Sequence, residues 1–150
     1  MLVLTFQVDG VPYAVQVSQI IEVIPRVELR SVPHSPPCLV GLLHYRGAAV
    51  PVVDLGLLLG RSACVERLDT RILLVRASLG GGVERLGLVA ERVNELVEVD
   101  AERPAMANFG MLSAPYLGRV FETTVGLLQL IDPGRIDVGA VAEPSGVIGS

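Results

Sequence analysis

Lysine and tryptophan are both absent from this sequence, and cysteine occurs only twice. Without lysine, all twelve basic residues are arginine, and those at 26, 30, 46, 61, 67 and 71 stand singly among acids. With a formal charge of −4, that scatter argues against a nucleic-acid interface and against a polybasic membrane anchor, both of which need clustered cations. Cys38 and Cys64 are too few for a disulfide framework. No run approaches the ~18 uninterrupted apolar residues of a membrane-spanning helix. The opening MLVLTFQVDG has no basic leader and breaks its apolar run at Gln7 and Asp9. The expectation is a cytosolic protein with no direct membrane insertion. Aromatic residues make up only 4% of the chain, so its core must be built from Val, Leu, Ile and Ala.

What is present is β-pattern. The segments 2–8, 12–17, 48–55, 71–77, 83–90 and 125–131 are Val-rich or alternate with period two and read as strands. Asp9-Gly10 and Gly80-Gly81-Gly82 lie between strand pairs, where hairpin turns need positive φ. Short helical turns are expected at 18–21 and 55–60. Residues 31–37, SVPHSPP, are a proline-rich connection, and 102–118 is the longest loop candidate. The fold class is all-β, with few short helices.

A weak internal repeat divides the chain. Val15, Ile20, Glu22 and Val23-Ile24 find matches at Leu88, Val93, Glu95 and Leu96-Val97, all at one constant offset. VPVVD (50–54) is echoed by LQLID (128–132) at a slightly larger one. The reading is two similar halves, approximately 8–68 and 69–137, each a small closed sheet, sharing an apolar seam with a groove along it. Residues 138–150 read as a frayed tail.

The residues that carry chemistry do not assemble into an enzyme. His34, Cys38, His44 and Cys64 lack zinc-site spacing, so no metal and no cofactor are expected. Ser35 directly follows His34, which points the two side chains apart, and no G-x-S-x-G is present. Gly80-Gly81-Gly82 leads into a strand instead of a helix, and no lysine follows to hold a phosphate. Glu91, Glu95 and Glu98 are spaced like one helix face and read as a solvated rim. What remains is GLLHYRGAAVPVVDLGLLLG (41–60), an apolar run holding Arg46 and Asp54. Gly47 suits a turn, and Pro51 places its strand at an edge or a bulge. Arg46 is either a turn-tip side chain in water or a guanidinium held bidentately by a carboxylate of the first hairpin, with Glu22 the candidate.

Phe6, Glu22, Pro33, Gly41, Arg46-Gly47, Pro51 and Asp54-Leu55, in that order, resemble the pattern of the CheW-like domain from end to end of the chain. The resemblance implies a single domain over 1–140: two five-stranded, SH3- or OB-like barrels, duplicated and strand-swapped around a shared apolar core. It implies a non-enzymatic adaptor, recruited to membrane-associated receptor arrays. Such an adaptor couples the cytoplasmic tip of methyl-accepting chemoreceptors to the regulatory domain of a CheA-type histidine kinase. It also implies that Glu22 and Arg46 pair near a receptor groove lined by Ile20, Leu42 and Leu43, and that the kinase face lies around Val93 and Leu96. His44-Tyr45 departs from the Asn-Leu of many flagellar members. Residues 113–118 and Gln129 resemble adaptors of non-flagellar, chemosensory-like systems. The alternative is a ligand-sensing or oligomerising β-barrel module.

Overall fold

The computed structural model describes residues 1–77, 84–106, 114–124 and 126–137. The Gly80-Gly81-Gly82 tip and the tail from 138 onward lie outside these. The strands are β1 (Leu2–Val8), β2 (Val11–Gln16), β3 (Ile20–Pro25), β4 (Leu39–Tyr45), β5 (Ala48–Asp54), β6 (Arg71–Arg76), β7 (Arg85–Glu98), β8 (Leu117–Thr123) and β9 (Gly126–Ile131). Helix among the described residues is confined to one turn, α1 (Leu55–Leu58), and 3-10 turns at Val17–Gln19 and Pro133–Arg135.

The strands form two five-stranded sheets that share β7. Its first half, Arg85–Ala90, pairs antiparallel with β6 and parallel with β5, while its second half pairs antiparallel with β1. The first barrel therefore holds β3, β6, β7, β5 and β4 in spatial order, and the second holds β7, β1, β2, β9 and β8. Membership crosses the chain's midpoint: β1 and β2 belong with β8 and β9, and β6 belongs with β3 to β5. That interchange of strands is how the two halves are bound into one fold.

The repeat survives in the hydrogen-bonded register. By the two offsets, Ala14 on β2 corresponds to Gly87 on β7, and Leu130 on β9 corresponds to Val52 on β5. Ala14 pairs with Leu130, and Gly87 pairs with Val52. Asp54 N–H donates to the Cys38 carbonyl, and its counterpart Asp132 donates in the same way to the carbonyl of Tyr116, the counterpart of Cys38. Asp54 and Asp132 each cap the helical turn that follows, through Leu57 N–H and Gly134 N–H. Glu22 and Glu95 both sit beside a register shift, opposite Leu74 and Thr5. Sequence similarity too weak to prove a duplication is thus matched strand by strand in the pairing.

Period-two geometry explains the core. On β6, Ile72 and Leu74 face the first barrel's interior with Leu43, Val50, Val52 and Val89. Leu73 and Val75 face the opposite way, into the seam. On β1, Val3 faces the second barrel's interior with Phe121 and Leu128, while Leu4, Phe6 and Val8 enter the same seam. The seam is filled by side chains from both barrels, including Val15, Leu88 and Ile131. It is the shared apolar core.

Several local expectations need correction. Neither sheet is closed by a continuous ladder. The open side of the first barrel is crossed by one isolated bridge, Arg30 to Leu42, and that of the second by Met106 to Val120. Prolines explain the first gap: Pro25 ends β3, and Pro33, Pro36 and Pro37 interrupt the return to β4, so this connection lacks the donors a ladder needs. The 3-10 turn at Val17–Gln19 ends before Ile20, and the expected helical turn at 18–21 gives way to β3. β4 and β8 escape the sequence pattern. The apolar residues of LVGLLHY occupy both faces and hide the alternation, and β8 starts inside the stretch assigned to a loop. Glu91, Glu95 and Glu98 lie on strand β7, not on a helix, and Glu91 is buried. Its carboxylate accepts from Val65 N–H and Asp9 N–H, tying the β1–β2 turn to the loop before β6. Pro51 is on neither an edge strand nor a bulge. β5 lies between β4 and β7, and the parallel ladder to β7 begins only at Val52, the next residue, so the missing N–H is not needed there.

Candidate functional site

The β4–β5 hairpin turns through Arg46 and Gly47, whose φ values of 48° and 80° are both positive, as a two-residue type I′ turn requires. Gly47 adopts this freely; for Arg46 the left-handed conformation costs roughly 1–2 kcal/mol. The turn therefore presents a guanidinium at its tip where Asn would be the easier choice. Arg46 is 76% exposed, and its Nη2 stands 3.9 Å from Glu22 Oε1. The pair is a single contact to one oxygen and not a closed fork. Both sequence readings of Arg46 are partly met: the residue is at a turn tip in water, and Glu22 is its acid.

The shorter contact belongs to a residue that the sequence marks as a departure from the family pattern and not as a contact. Tyr45 Oη donates to Glu22 Oε1 at 2.5 Å. Its ring packs against the first barrel's interior and lies under two guanidinium groups, Arg46 at 5.3 Å and Arg85 at 5.9 Å from the ring centroid. The hydrogen bond to Glu22 is the main cause that pushes the Tyr45 phenol above its ordinary value, and the nearby Arg46 charge opposes it. Glu22 lies on β3 and Tyr45 on β4, the two edges of an open sheet. The cluster thus spans the barrel's open side by side chains, where, among the described residues, the backbone offers only the Arg30–Leu42 bridge.

The second barrel differs at the corresponding place. In the repeat, Tyr45 and Arg46 correspond to Thr123 and Thr124, which bring neither a ring nor a cation to that mouth. Instead a cavity of about 570 Å³ opens there, lined by Val97, Glu98, Asp100, Phe121, Glu122 and these two threonines, among others.

The remaining expected groove residues divide. Ile20 is half-buried against the seam. Leu42 is half-buried and bonds through its backbone to Arg30. Leu43 points the opposite way and is only 6% exposed, inside the first barrel. Successive strand residues face opposite sides, so Leu42 and Leu43 cannot line one surface. Leu43 is core. Val93 is half-buried at the seam and donates its N–H to the Asp69 carbonyl, while Leu96 on β7 is 61% exposed. In the repeat Leu96 corresponds to Val23, also an exposed hydrophobic.

The cysteines sit close to the Asp54 cap. Burial is the first cause that pushes the Cys64 thiol up to about 12, and Asp54 adds to it; burial raises Cys38 as well. Thiolate is the nucleophile, so both should react slowly with iodoacetamide at pH 8 in the folded protein and rapidly in urea. Because folding favours the neutral thiol, the Cys64 contribution to stability is complete below the ordinary 9.0 and fades as pH climbs toward 12. Rapid labelling of Cys64 without denaturant would contradict this.

The described residues contain no helix long and apolar enough to cross a membrane. Among curated proteins, none matches the sequence significantly. Among solved structures, the scaffolding protein TtCheW from Thermoanaerobacter tengcongensis superposes with a TM-score of 0.76 at 20% identity, over 87% of this chain and 82% of that one. The two chains therefore share their fold. The family model of the CheW-like domain matches residues 2–138, nearly the whole length and including the β3 acid, the β4–β5 turn and the Asp54 cap; the chain belongs to the CheW-like domain family.

Proposed function

We propose that this chain is a non-enzymatic adaptor that couples the cytoplasmic tip of a chemoreceptor to the regulatory domain of a CheA-type histidine kinase, recruited in this way to membrane-associated receptor arrays. The observation that carries the reading is the exposed Glu22–Tyr45–Arg46 cluster on a strained turn of a CheW-like domain. An arginine held at positive φ with one loose ion pair gives the fold little, since exposed pairs contribute about 0–1 kcal/mol. Its use lies in what it presents. Ile20 and Leu42, half-buried beside this edge, supply apolar contact for a receptor helix hairpin, and Leu96 is the accessible residue of the kinase-facing pair. A small-molecule sensor fits less well, because the seam where a ligand would sit is occupied by Phe6, Leu73 and Leu88.

Arg46→Asn separates fold from function, because Asn-Gly is the preferred pair for a type I′ turn. The variant should keep or slightly raise the melting temperature and keep the kinase domain in a pull-down. It should weaken binding of a receptor-tip fragment about tenfold. Failure of both the receptor tip and the kinase domain to bind the wild-type chain would overturn the adaptor reading.

A further inference from the structure

The charges around Tyr45 are unevenly matched. Arg46 and Arg85 both lie over its ring, and Arg76 is the direct cross-strand partner of Arg85, so three guanidinium groups gather at one end of the first barrel. Arg76 spends one N–H on the Ser18 carbonyl. Arg46 has its single 3.9 Å contact, to an oxygen that Tyr45 already occupies. Arg85, exposed at the start of β7, makes no ion pair among the described residues. Glu22 is the one carboxylate engaged in the cluster; even with Glu84, next to Arg85 in sequence, the end keeps an excess of positive charge in a chain whose net charge is −4. The corresponding mouth of the second barrel carries Glu98, Asp100 and Glu122 instead, with the Met1 ammonium paired to Glu98 and Arg103 to Asp100. The positive end is therefore a property of this barrel and not of the duplicated fold.

We infer that Arg46 and Arg85, held over the Tyr45 ring, form a recognition site for a carboxylate side chain on an acidic helical segment of a partner protein, with Arg76 adding to the field. The inference rests on the adaptor reading for the identity of that partner but not for its chemistry. Planar guanidinium groups bind a carboxylate bidentately, and a ring that attracts both, at 5.3 and 5.9 Å from its centroid, restrains them near one another. Glu22 serves as the internal counter-charge that orients Tyr45 and Arg46 without neutralising the patch. Tyr45 is then a positioning residue: it holds two cations where an incoming acid meets both.

The test uses the full chain and two fluorescein-labelled helical peptides of equal length, one bearing glutamates on one face and the other glutamines at the same places. The glutamate peptide should bind at 50 mM NaCl and weaken several-fold at 300 mM, as exposed charge contacts are screened. Arg85→Ala should reduce its affinity about tenfold, and Arg85→Lys should recover only part, because lysine keeps the charge but loses the fork and the stacking. Tyr45→Leu should weaken binding with both arginines still present. Circular dichroism checks that each variant is folded. Equal binding of the glutamate and glutamine peptides, or an unchanged affinity in the Arg46→Asn/Arg85→Ala double variant, would overturn the inference. The receptor-tip pull-down decides the adaptor reading on its own, so the two can fail separately.

Discussion

Gly56→Ala should destabilise the fold by more than about 3 kcal/mol. Gly56 is buried in the first turn of α1, and a Cβ built there would collide with the Ser62 carbonyl oxygen and lie 3.1 Å from Asp54 Oδ1. The neighbour is backbone, and it cannot swing aside as a long side chain would. The backbone on either side of Ser62 is pinned. Arg61 N–H donates to the Gly56 carbonyl at 2.8 Å, and Cys64 N–H donates to the buried Asp54 carboxylate. Relieving the clash would pull this segment away and leave that carboxylate short of its partners, a penalty of about 1–3 kcal/mol or more for a charged group. Overpacking adds a further ~1–3 kcal/mol. A sum above about 3 kcal/mol consumes much of the 5–15 kcal/mol that holds a domain of this size together. Urea denaturation followed by circular dichroism reads the effect directly. A midpoint within experimental error of the wild type would show that the Ser62 segment yields freely, and that Asp54 does not depend on it.

Asp54 also marks where sequence reasoning stops short. Its charge inside an apolar run raises the right question, and a helical turn at 55–60 is expected, but the pattern alone does not join the two. The answer is an N-cap: Asp54 ends β5 and accepts from the third residue of the run that follows. Asp9-Gly10 is legible because a type I′ turn demands positive φ at both positions, and φ values of 51° and 77° bear that out. The duplication is legible because Val15 and Leu88 occupy equivalent seam positions, and a seam preserves size and apolarity even when identity is lost. The strand interchange is implied by the family resemblance alone, since local pattern says nothing of which sheet a strand joins. Leu42 and Leu43 look alike as apolar neighbours; only the facing of β4 makes one accessible and the other core. Tyr45 stands out in the sequence as a departure from the family pattern and not as a contact. Its partner lies 23 residues away on a strand that shares no ladder with β4, and nothing in the spacing announces it. Glu91 reads as a rim residue because acids usually are; its burial depends on two backbone N–H groups brought in from distant loops.

Leu88→Ala should cost about 3 kcal/mol or more, and it should weaken both barrels together. Leu88 is fully buried on the half of β7 that belongs to the first barrel, yet it packs in the cluster that also holds Leu4, Phe6 and Val15 of the second. Truncating a buried leucine removes the transfer energy of its lost atoms and leaves a cavity; such changes cost about 2–5 kcal/mol, most where the surroundings cannot collapse. Collapse is restricted here. Leu88 is paired on one side with Leu73 and on the other with Val53, both fully buried, so the backbone around the cavity is held by two ladders. Strand sharing makes the loss global. β7 runs on, through an irregularity at Arg92, into its pairing with β1, and β6 crosses from the second half of the chain into the first barrel. A barrel released from the seam would expose the apolar face of every strand that borders it, including Phe6, Val8 and Val75. Hydrogen exchange should therefore show amides of β5 and of β9 losing protection by the same amount in the variant, and urea unfolding should remain one transition at a lower midpoint. Two separate transitions, with β9 still protected while β5 exchanges, would mean that the barrels are stable units that merely touch, and that the seam is an interface and not a core.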